Sequence, residues 1–318
     1  MSFSVQKAWK NNPFLVYFEQ YLTMRVAVFG KNIKSEDHEC VDNLFRQIAV
    51  RSGEILIEED FLNESIMHMP LSQSYCFKTF SQKEQSELRA DILFSLGGDG
   101  TLLDTLSICQ TFDIPVLGIN LGHLGFLTSV GKQDCDKLLD KLENGQFKTE
   151  RHSLLEAEWN EGASRGYALN EVCIRSLSPS ELLETEVFVD GEYLSTYSSD
   201  GLIAATPTGS TAYSMSCGGP IISPESKCIC LTPISPHNLT HRPLIIPESS
   251  TIEFVISKSK GCISLHLDSQ SHSLHSPVRV KITKAENSVK LLRMENNSFF
   301  SAIRNKLMWG TNLRNTQK

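Results

Sequence analysis

The stretch Asp91-Ile-Leu-Phe-Ser-Leu-Gly-Gly-Asp-Gly-Thr-Leu-Leu-Asp104 constrains the fold more than any other part of the chain. Its apolar run at 92–96 predicts a short buried strand, and the residues from Thr101 onward predict a helix with Thr101 as N-cap. Gly97, Gly98 and Gly100 then form a strand-to-helix turn. Glycines let such a turn take positive φ and approach a ligand closely, and the free N–H groups at a helix start attract an anion such as phosphate. Asp99 is the unusual member. An acid repels phosphate unless a metal ion lies between them or the acid's target is a hydroxyl proton, so the turn points to phosphoryl transfer onto an alcohol. An ordinary glycine-rich turn whose acid caps the helix has the same local sequence, and these residues alone leave both readings open.

Strand and helix patterns alternate around this turn. Residues 25–29 predict a first strand, and residues 35–51 predict a helix with Cys40, Val41, Leu44, Phe45, Ile48 and Ala49 at helical spacing and Ser35 as N-cap. A strand is expected at 54–57, weak patterning at 61–87, continuation of the post-turn helix at 102–108, and a further strand at 114–119. The alternation predicts an α/β domain with a parallel, Rossmann-like sheet and ligands at the carboxyl ends of its strands. Asn120-Leu-Gly-His-Leu-Gly-Phe-Leu-Thr128 lies just past one such end, where Phe126 either stacks on a base or fills the core. A helix at 134–142, ended by Asn144-Gly145, closes this domain, which is assigned to 24–145. Past residue 150 the pattern changes to strands, at 154–159, 168–174, 186–189, 192–197, 202–205, 252–256, 262–267, 278–282 and 289–294. Asp190-Gly191 reads as a type I′ hairpin turn. The second domain, at 146–294, is therefore expected to be mostly β.

Composition narrows the partners. With 37 Asp and Glu against 30 Lys and Arg, the net charge of -7 argues against a general nucleic-acid or anionic-membrane binder, while leaving room for a local phosphate pocket. No window approaches the roughly 20 apolar residues of a membrane-spanning helix. Residues 1–23 include an apolar run at 14–18, but the flanks lack the charge and cleavage site of a secretory signal, so a short packing helix or a natural start at Met24 is expected. Nine cysteines, an odd number without CxxC pairs, fit reduced thiols in a cytoplasmic protein. Cys228 and Cys230 are expected on one strand with both side chains on the same face.

A second informative stretch is Asp200-Gly-Leu-Ile-Ala-Ala-Thr-Pro-Thr-Gly-Ser-Thr-Ala-Tyr-Ser-Met-Ser-Cys-Gly-Gly-Pro220. An apolar strand runs into a loop of small hydroxyl residues, whose hydroxyls and amides suit the polar edges of a nucleotide, and Tyr213 adds a ring. A Ser/Thr turn capping a helix near Thr211 is compatible with the same residues. Asn170 and Glu171 fall on opposite faces of a regular strand, so both reach one ligand only at a strand end or bulge. Lys31, just past the first strand, reads as a solvated lysine or a phosphate contact. His237 and His241 have zinc-helix spacing, but flanking prolines and Asn238 in place of the acid make a zinc site improbable.

The ordered set is more specific than its parts. Gly97-Gly-Asp-Gly-Thr101, Asn120-Leu-Gly-His-Leu-Gly-Phe-Leu127, Asn170-Glu171, Thr206-Pro-Thr-Gly-Ser-Thr-Ala-Tyr213, Gly218-Gly-Pro-Ile221, the stretch 233–247 and the closing Phe300-Ser-Ala-Ile-Arg-Asn-Lys-Leu-Met-Trp-Gly310 together resemble the NAD kinase family. The turn alone is shared with lipid and sugar kinases. The resemblance implies ATP- and Mg²⁺-dependent phosphorylation of NAD at the 2′-hydroxyl of its adenosine ribose. It also implies a site between an N-terminal α/β domain and a C-terminal β domain, return of the segment 295–318 to the first domain, and a homodimer or homotetramer. By matching position it makes Asp99 the catalytic acid or base and sets Gly97, Gly98, Gly100 and Thr101 at the phosphates. Asn170 and Glu171 would hold the NAD ribose and amide, with Phe126, Thr211, Ala212, Tyr213 and Ser214 around the adenine; Asp200, Thr208 and Lys31 complete the candidate set. No metal ligand set belongs to the protein alone; Mg²⁺ would come with ATP, near Asp99. The chain departs from the family pattern at Ser199, at Ala205, and at Asp268-Ser-Gln270, where the family has Asp-Gly-Gln. Rival readings are a kinase acting on another alcohol and an NAD(P)-sensing regulator without turnover.

Overall fold

The computed structural model describes residues 24–51, 53–70, 74–81, 88–122, 125–178, 182–259 and 261–310. The expectations for residues 1–23 lie outside the described residues. The chain divides into two compact units, Met1–Arg151 with Lys290–Lys318, and His152–Val289.

In the first unit, short apolar runs form β1 (Arg25–Gly30), β2 (Glu54–Glu58), β3 (Phe77–Phe80), β4 (Ile92–Leu96), β5 (Val116–Asn120) and a two-residue β6 (Val130–Gly131). They pair in parallel in the order β3-β2-β1-β4-β5, with β6 beside β5. Both β4 and β5 are buried along their whole length, as strands covered on two faces must be. The strand order reverses between β1 and β4. A parallel sheet opens a crevice at such a switch point, and the chain there carries Gly30 at the end of β1, Lys31 after it, and the glycine turn after β4.

Helix α1 (His38–Val50) packs Val41, Leu44, Phe45 and Ile48 onto this sheet. It is preceded by a 3-10 turn at Ser35–Asp37, so Ser35 is not its N-cap and makes no capping hydrogen bond. The weakly patterned region holds α2 (Glu59–Glu64), capped by the Glu58 carboxylate accepting the Phe61 N–H at 2.9 Å, and the edge strand β3. After the glycine turn the expected single helix is two pieces, α3 (Asp99–Leu103) and α4 (Leu106–Phe112). At the break, the Thr105 hydroxyl donates to the Leu102 carbonyl at 2.6 Å, drawing off an acceptor that a continuous helix would use. The helix expected at 134–142 is likewise a 3-10 stretch, Lys132–Lys137, running into α5 (Leu138–Glu143).

The second unit is built almost wholly of antiparallel strands. They are β7 (Phe147–Trp159), which starts in the first unit, β8 (Ser164–Ala168), β9 (Glu171–Ser176), β10 (Leu183–Val189), β11 (Glu192–Ser199), β12 (Gly201–Ala205), β13 (Cys228–Ile234), β14 (Leu244–Pro247), β15 (Ile252–Ile256), β16 (Ile263–Leu267), β17 (Gln270–Leu274) and β18 (Val278–Met294). One layer runs β14-β13-β12-β9-β16-β17, and β11, β10, β15 and β18 pair in that order in the other. Alternate residues of both layers, among them Val172, Leu202, Leu231, Val187, Phe254 and Val280, meet in one apolar core. The opposite face of the six-stranded sheet buries Cys173, Ile203, Ala205 and Cys230, with Cys228 packed beside them on the same face as Cys230. Asp190 (φ 53°) and Gly191 (φ 83°) turn β10 into β11 as a type I′ pair requires.

Three expected strands differ. The run 168–174 is broken between β8 and β9, and 278–282 and 289–294 are one long strand, β18. The second unit also holds the four-residue α6 (Tyr213–Ser216), preceded by a 3-10 turn at Thr208–Thr211. β18 carries the chain back into the first unit, where Leu291 pairs in parallel with Val116 and α7 (Phe299–Leu307) follows, capped by the Ser298 hydroxyl. The fold is thus an α/β part with a parallel sheet and a mostly-β part, as the sequence predicts. No helix among the described residues is long and apolar enough to cross a membrane.

Candidate active site

The glycines of the turn after β4 have separate tasks. Gly97 sits at φ 151°, and a Cβ there would collide with the Thr101 side chain. This conformation starts α3 at Asp99, with Gly98 as N-cap, three residues before the N-cap that the sequence predicts; Thr101 lies inside the first turn and is not the cap. Gly98 and Gly100 are exposed, and a Cβ on either would meet no atom within 4 Å. The fold therefore does not require them to be small. Space beside them is open to a ligand that comes close to the backbone. Because α3 has only five residues, anion attraction rests on the local amides more than on a long helix dipole.

Asp99 does not cap its own helix. Its carboxylate turns onto the segment before β6, where Oδ2 accepts the Phe126 N–H at 2.6 Å and Oδ1 accepts the Leu127 and Thr128 N–H groups at 3.1 and 3.0 Å. The Thr128 hydroxyl is a fourth donor, to Oδ1 at 3.1 Å. Gly125 makes room for this: a Cβ on it would overlap the carboxylate. The helix-capping alternative therefore falls.

Phe126 is half-buried at the same place. Lys306 of α7 holds its ammonium 4.4 Å from the ring centroid, so one ring face carries a cation and only the other remains for stacking. Burial lowers the Lys306 pKa, and the negative charge of Asp99 works against that shift. Arg293, buried on β18, donates from Nη2 to the Phe126 carbonyl at 2.8 Å and from Nε to Glu150 at 2.6 Å. Lys306 and Arg293 had no signal in the sequence beyond the familial look of the closing segment, because each reaches Phe126 across more than 160 residues of chain. Lys31 is an exposed lysine paired with Asp104 at 2.7 Å, just past the end of α3.

In the second unit, Asn170 and Glu171 stand where β8 ends and β9 begins, the strand-end position that lets both serve one ligand. A second aspartate organises them. The Asp268 carboxylate accepts the Leu169, Asn170 and Glu171 N–H groups at 2.7, 2.9 and 2.9 Å, so each unit uses one aspartate to gather three consecutive amides. Asp268 adopts φ 53° in the turn joining β16 to β17, and that turn closes with Ser269 where the family has glycine. Burial pushes Asp268 up to about 6 against the pull of those amides. Glu171 is pushed up to about 8, first by burial and then by the charge of Asp268, with the Tyr213 amide opposing. Its Oε2 is buried with no hydrogen-bond partner among the described residues.

The hydroxyl-rich loop packs directly on this point. The Thr206 N–H and Oγ1 donate to the carbonyls of Asn170 and Leu169 at 2.8 and 2.5 Å, and a Cβ on Gly209 would overlap the Asn170 backbone. Most hydroxyls of the loop are used internally: Thr208 with His152 Nδ1 at 2.8 Å, Ser210 with Pro207 and Ile222, and Ser214 with Thr232 at 2.8 Å. Thr208 and Ser214 are buried, whereas Thr211, Ala212 and Tyr213 reach the surface. Asp200 stands apart from Glu171. The register pairs Ala205 with Glu171 and Gly201 with Arg175, so Asp200 lies about 17 Å along β12 from that pair. Its charge acts instead on the Tyr213 hydroxyl, whose pKa is raised mainly by burial.

Comparison with known proteins bears on both units. Residues 26–147 match the model of the ATP-NAD kinase N-terminal domain, and residues 169–294 that of the ATP-NAD kinase C-terminal domain. The chain is 35% identical to an NAD kinase of Flavobacterium johnsoniae over 296 residues, covering 92% of this chain and all of the relative. It is 33% identical over 294 residues to an NAD kinase of Cytophaga hutchinsonii, again covering 92% of this chain and all of the relative. Among solved structures, a yeast NADH kinase complexed with NADH superposes with a TM-score of 0.82 at 26% identity, covering 94% of this chain and 91% of that one. An NAD kinase from Archaeoglobus fulgidus in complex with ATP gives 0.66 at 25% identity, covering 90% and 99%.

Proposed function

The chain belongs to the NAD kinase family, and on that premise we propose that it transfers the γ-phosphoryl group of ATP to the 2′-hydroxyl of the adenosine ribose of NAD, giving NADP and ADP. The observation that carries this is the carboxylate of Asp99, held beside an open glycine turn at the switch point of a parallel sheet. A ribose hydroxyl is a very weak acid. As its oxygen bonds to the γ-phosphorus and the bond from that phosphorus to the ADP oxygen breaks, its proton passes late to Asp99. The amides around Gly98 and Gly100 hold the donor phosphates, and Asn170 and Glu171 hold the acceptor NAD. In the second unit Thr211, Ala212 and Tyr213 border the adenine, while Thr208 and Ser214 support the loop from within; in the first unit Phe126 keeps one ring face for stacking.

No group of three or more His, Cys, Asp or Glu among the described residues is arranged to hold a metal ion. Magnesium enters with the substrate, on the ATP phosphates, where it offsets their charge. The enzyme works in the cytoplasm as a homo-oligomer. Apolar Leu239 and Ile245, 82% and 51% exposed, give the second unit a surface for a second copy.

A sensor that binds NAD(P) without turnover is favoured by one observation only, that Asp99 already takes four donors. Incubation with ATP, Mg²⁺ and NAD, read by an NADP-specific dehydrogenase, separates the two. We expect NADP to form, and Asp99→Asn to lower turnover by a factor of about 10² or more. Tight NADP binding with no product would establish the sensor instead.

A further inference from the structure

The hydrogen-bond chain behind Asp99 fixes the direction of the hydroxyl proton within it. An ionised carboxylate offers about four acceptor positions, and a hydroxyl offers one donor and two acceptors. Thr128 Oγ1 accepts from the Gly125 N–H at 2.7 Å and from Asn120 Nδ2 at 3.1 Å, which uses both of its acceptor positions and directs its single proton to Asp99 Oδ1. Asn120 is oriented in turn, because its Oδ1 accepts the Gly122 N–H at 2.7 Å and its amide nitrogen must then face Thr128. Thr128 and Asn120 are both buried, with 0% and 3% of their surface exposed, so water does not compete for these positions.

The two oxygens of Asp99 are consequently unequal. Oδ1 takes three donors, from Leu127, Thr128 N–H and Thr128 Oγ1, whereas Oδ2 takes one, from Phe126. We propose that Thr128, oriented by Asn120, is a positioning residue that locks Oδ1 as an anchor and leaves Oδ2 as the atom that receives the hydroxyl proton. The proposal rests on the reading of Asp99 as the base. A carboxylate fixed in plane and rotation presents its reacting oxygen without reorganising during the transfer, and loss of that alignment acts on the chemical step more than on substrate binding.

The test is steady-state kinetics of the full chain with ATP, Mg²⁺ and NAD. Thr128→Val, nearly isosteric, removes the hydroxyl, and we expect kcat to fall about tenfold or more with KM for ATP and NAD within about twofold. Thr128→Ser restores the hydroxyl and is expected to return kcat to within about threefold of the parent. Asn120→Asp keeps the acceptor for Gly122 but replaces the donor with a competing acceptor, drawing the Thr128 proton from Asp99; it should lose kcat in the same way, and serves alone if Thr128→Val does not fold. An unimpaired Thr128→Val or Asn120→Asp overturns the proposal, as does a Thr128→Ser enzyme as slow as the valine variant. Asp99→Asn distinguishes the two levels. If it stays active, the base reading falls and the positioning role falls with it; if it is inactive beside an unimpaired Thr128→Val, only the positioning role is lost.

Discussion

Gly97 and Gly98 are adjacent and chemically identical, yet their surroundings set opposite consequences for a methyl group. Gly97→Ala strains a φ of 151° and strikes Thr101, so it should destabilise the protein by roughly 1–3 kcal/mol. Gly98→Ala has room, and should leave the melting temperature unchanged while raising KM for ATP about tenfold by crowding the phosphates. Melting curves and ATP saturation of the two variants decide it; a Gly98→Ala enzyme with parental KM would remove that face of the turn from the donor site. Glu171 carries a pH prediction. Its folded-state pKa, up to about 8 from an ordinary 4.5, means that the folded protein holds a proton the unfolded chain has lost. Its contribution to stability is complete below the unfolded value and disappears as pH rises through about 8. Ligand-free protein should therefore melt lower at pH 9 than at pH 6, and Glu171→Gln should flatten that slope. Equal slopes in both proteins would show that Glu171 does not drive it. The residue types of the site were legible in the sequence, but the four donors on Asp99 were not, since they come from 27 to 29 residues away.

At the scale of elements, most strands and α1 follow from local pattern; what local pattern missed are the interruptions and the short strands β3, β6, β14 and β17. The gap between β8 and β9 exists because Asp268, nearly a hundred residues on, draws the amides of 169–171 out of the ladder. Asp268→Ala would strip the acceptor from all three. We expect a lower melting temperature and a KM for NAD raised about tenfold or more, with KM for ATP nearly unchanged, because Asn170 and Glu171 lose their fixed backbone. Parallel rises in both KM values would instead mean general unfolding. Edge strand β3 escaped notice for a related reason: half-exposed on one side of the sheet, it has no need of a continuous apolar run. The 3-10 entries into α1 and α5 were unreadable because 3-10 and α turns share nearly the same side-chain spacing.

For the molecule as a whole, the exposed apolar residues of the second unit predict association. Sedimentation should give a mass of at least two chains, and Ile245→Asp, on the edge strand β14, should lower it. A monomer at micromolar concentration would remove the homo-oligomer from the proposed function. The class of the fold, the order of its motifs and the family they belong to could all be read from the chain, because hydrophobic period, glycine turns and short motifs are local properties written in consecutive residues. The chemical bearing of Asp99, the buried and raised Glu171, the cation of Lys306 over Phe126 and the removal of Asp200 from Glu171 could not. Each depends on which distant donor, charge or strand register comes to lie beside the residue, and only the folded chain brings those together.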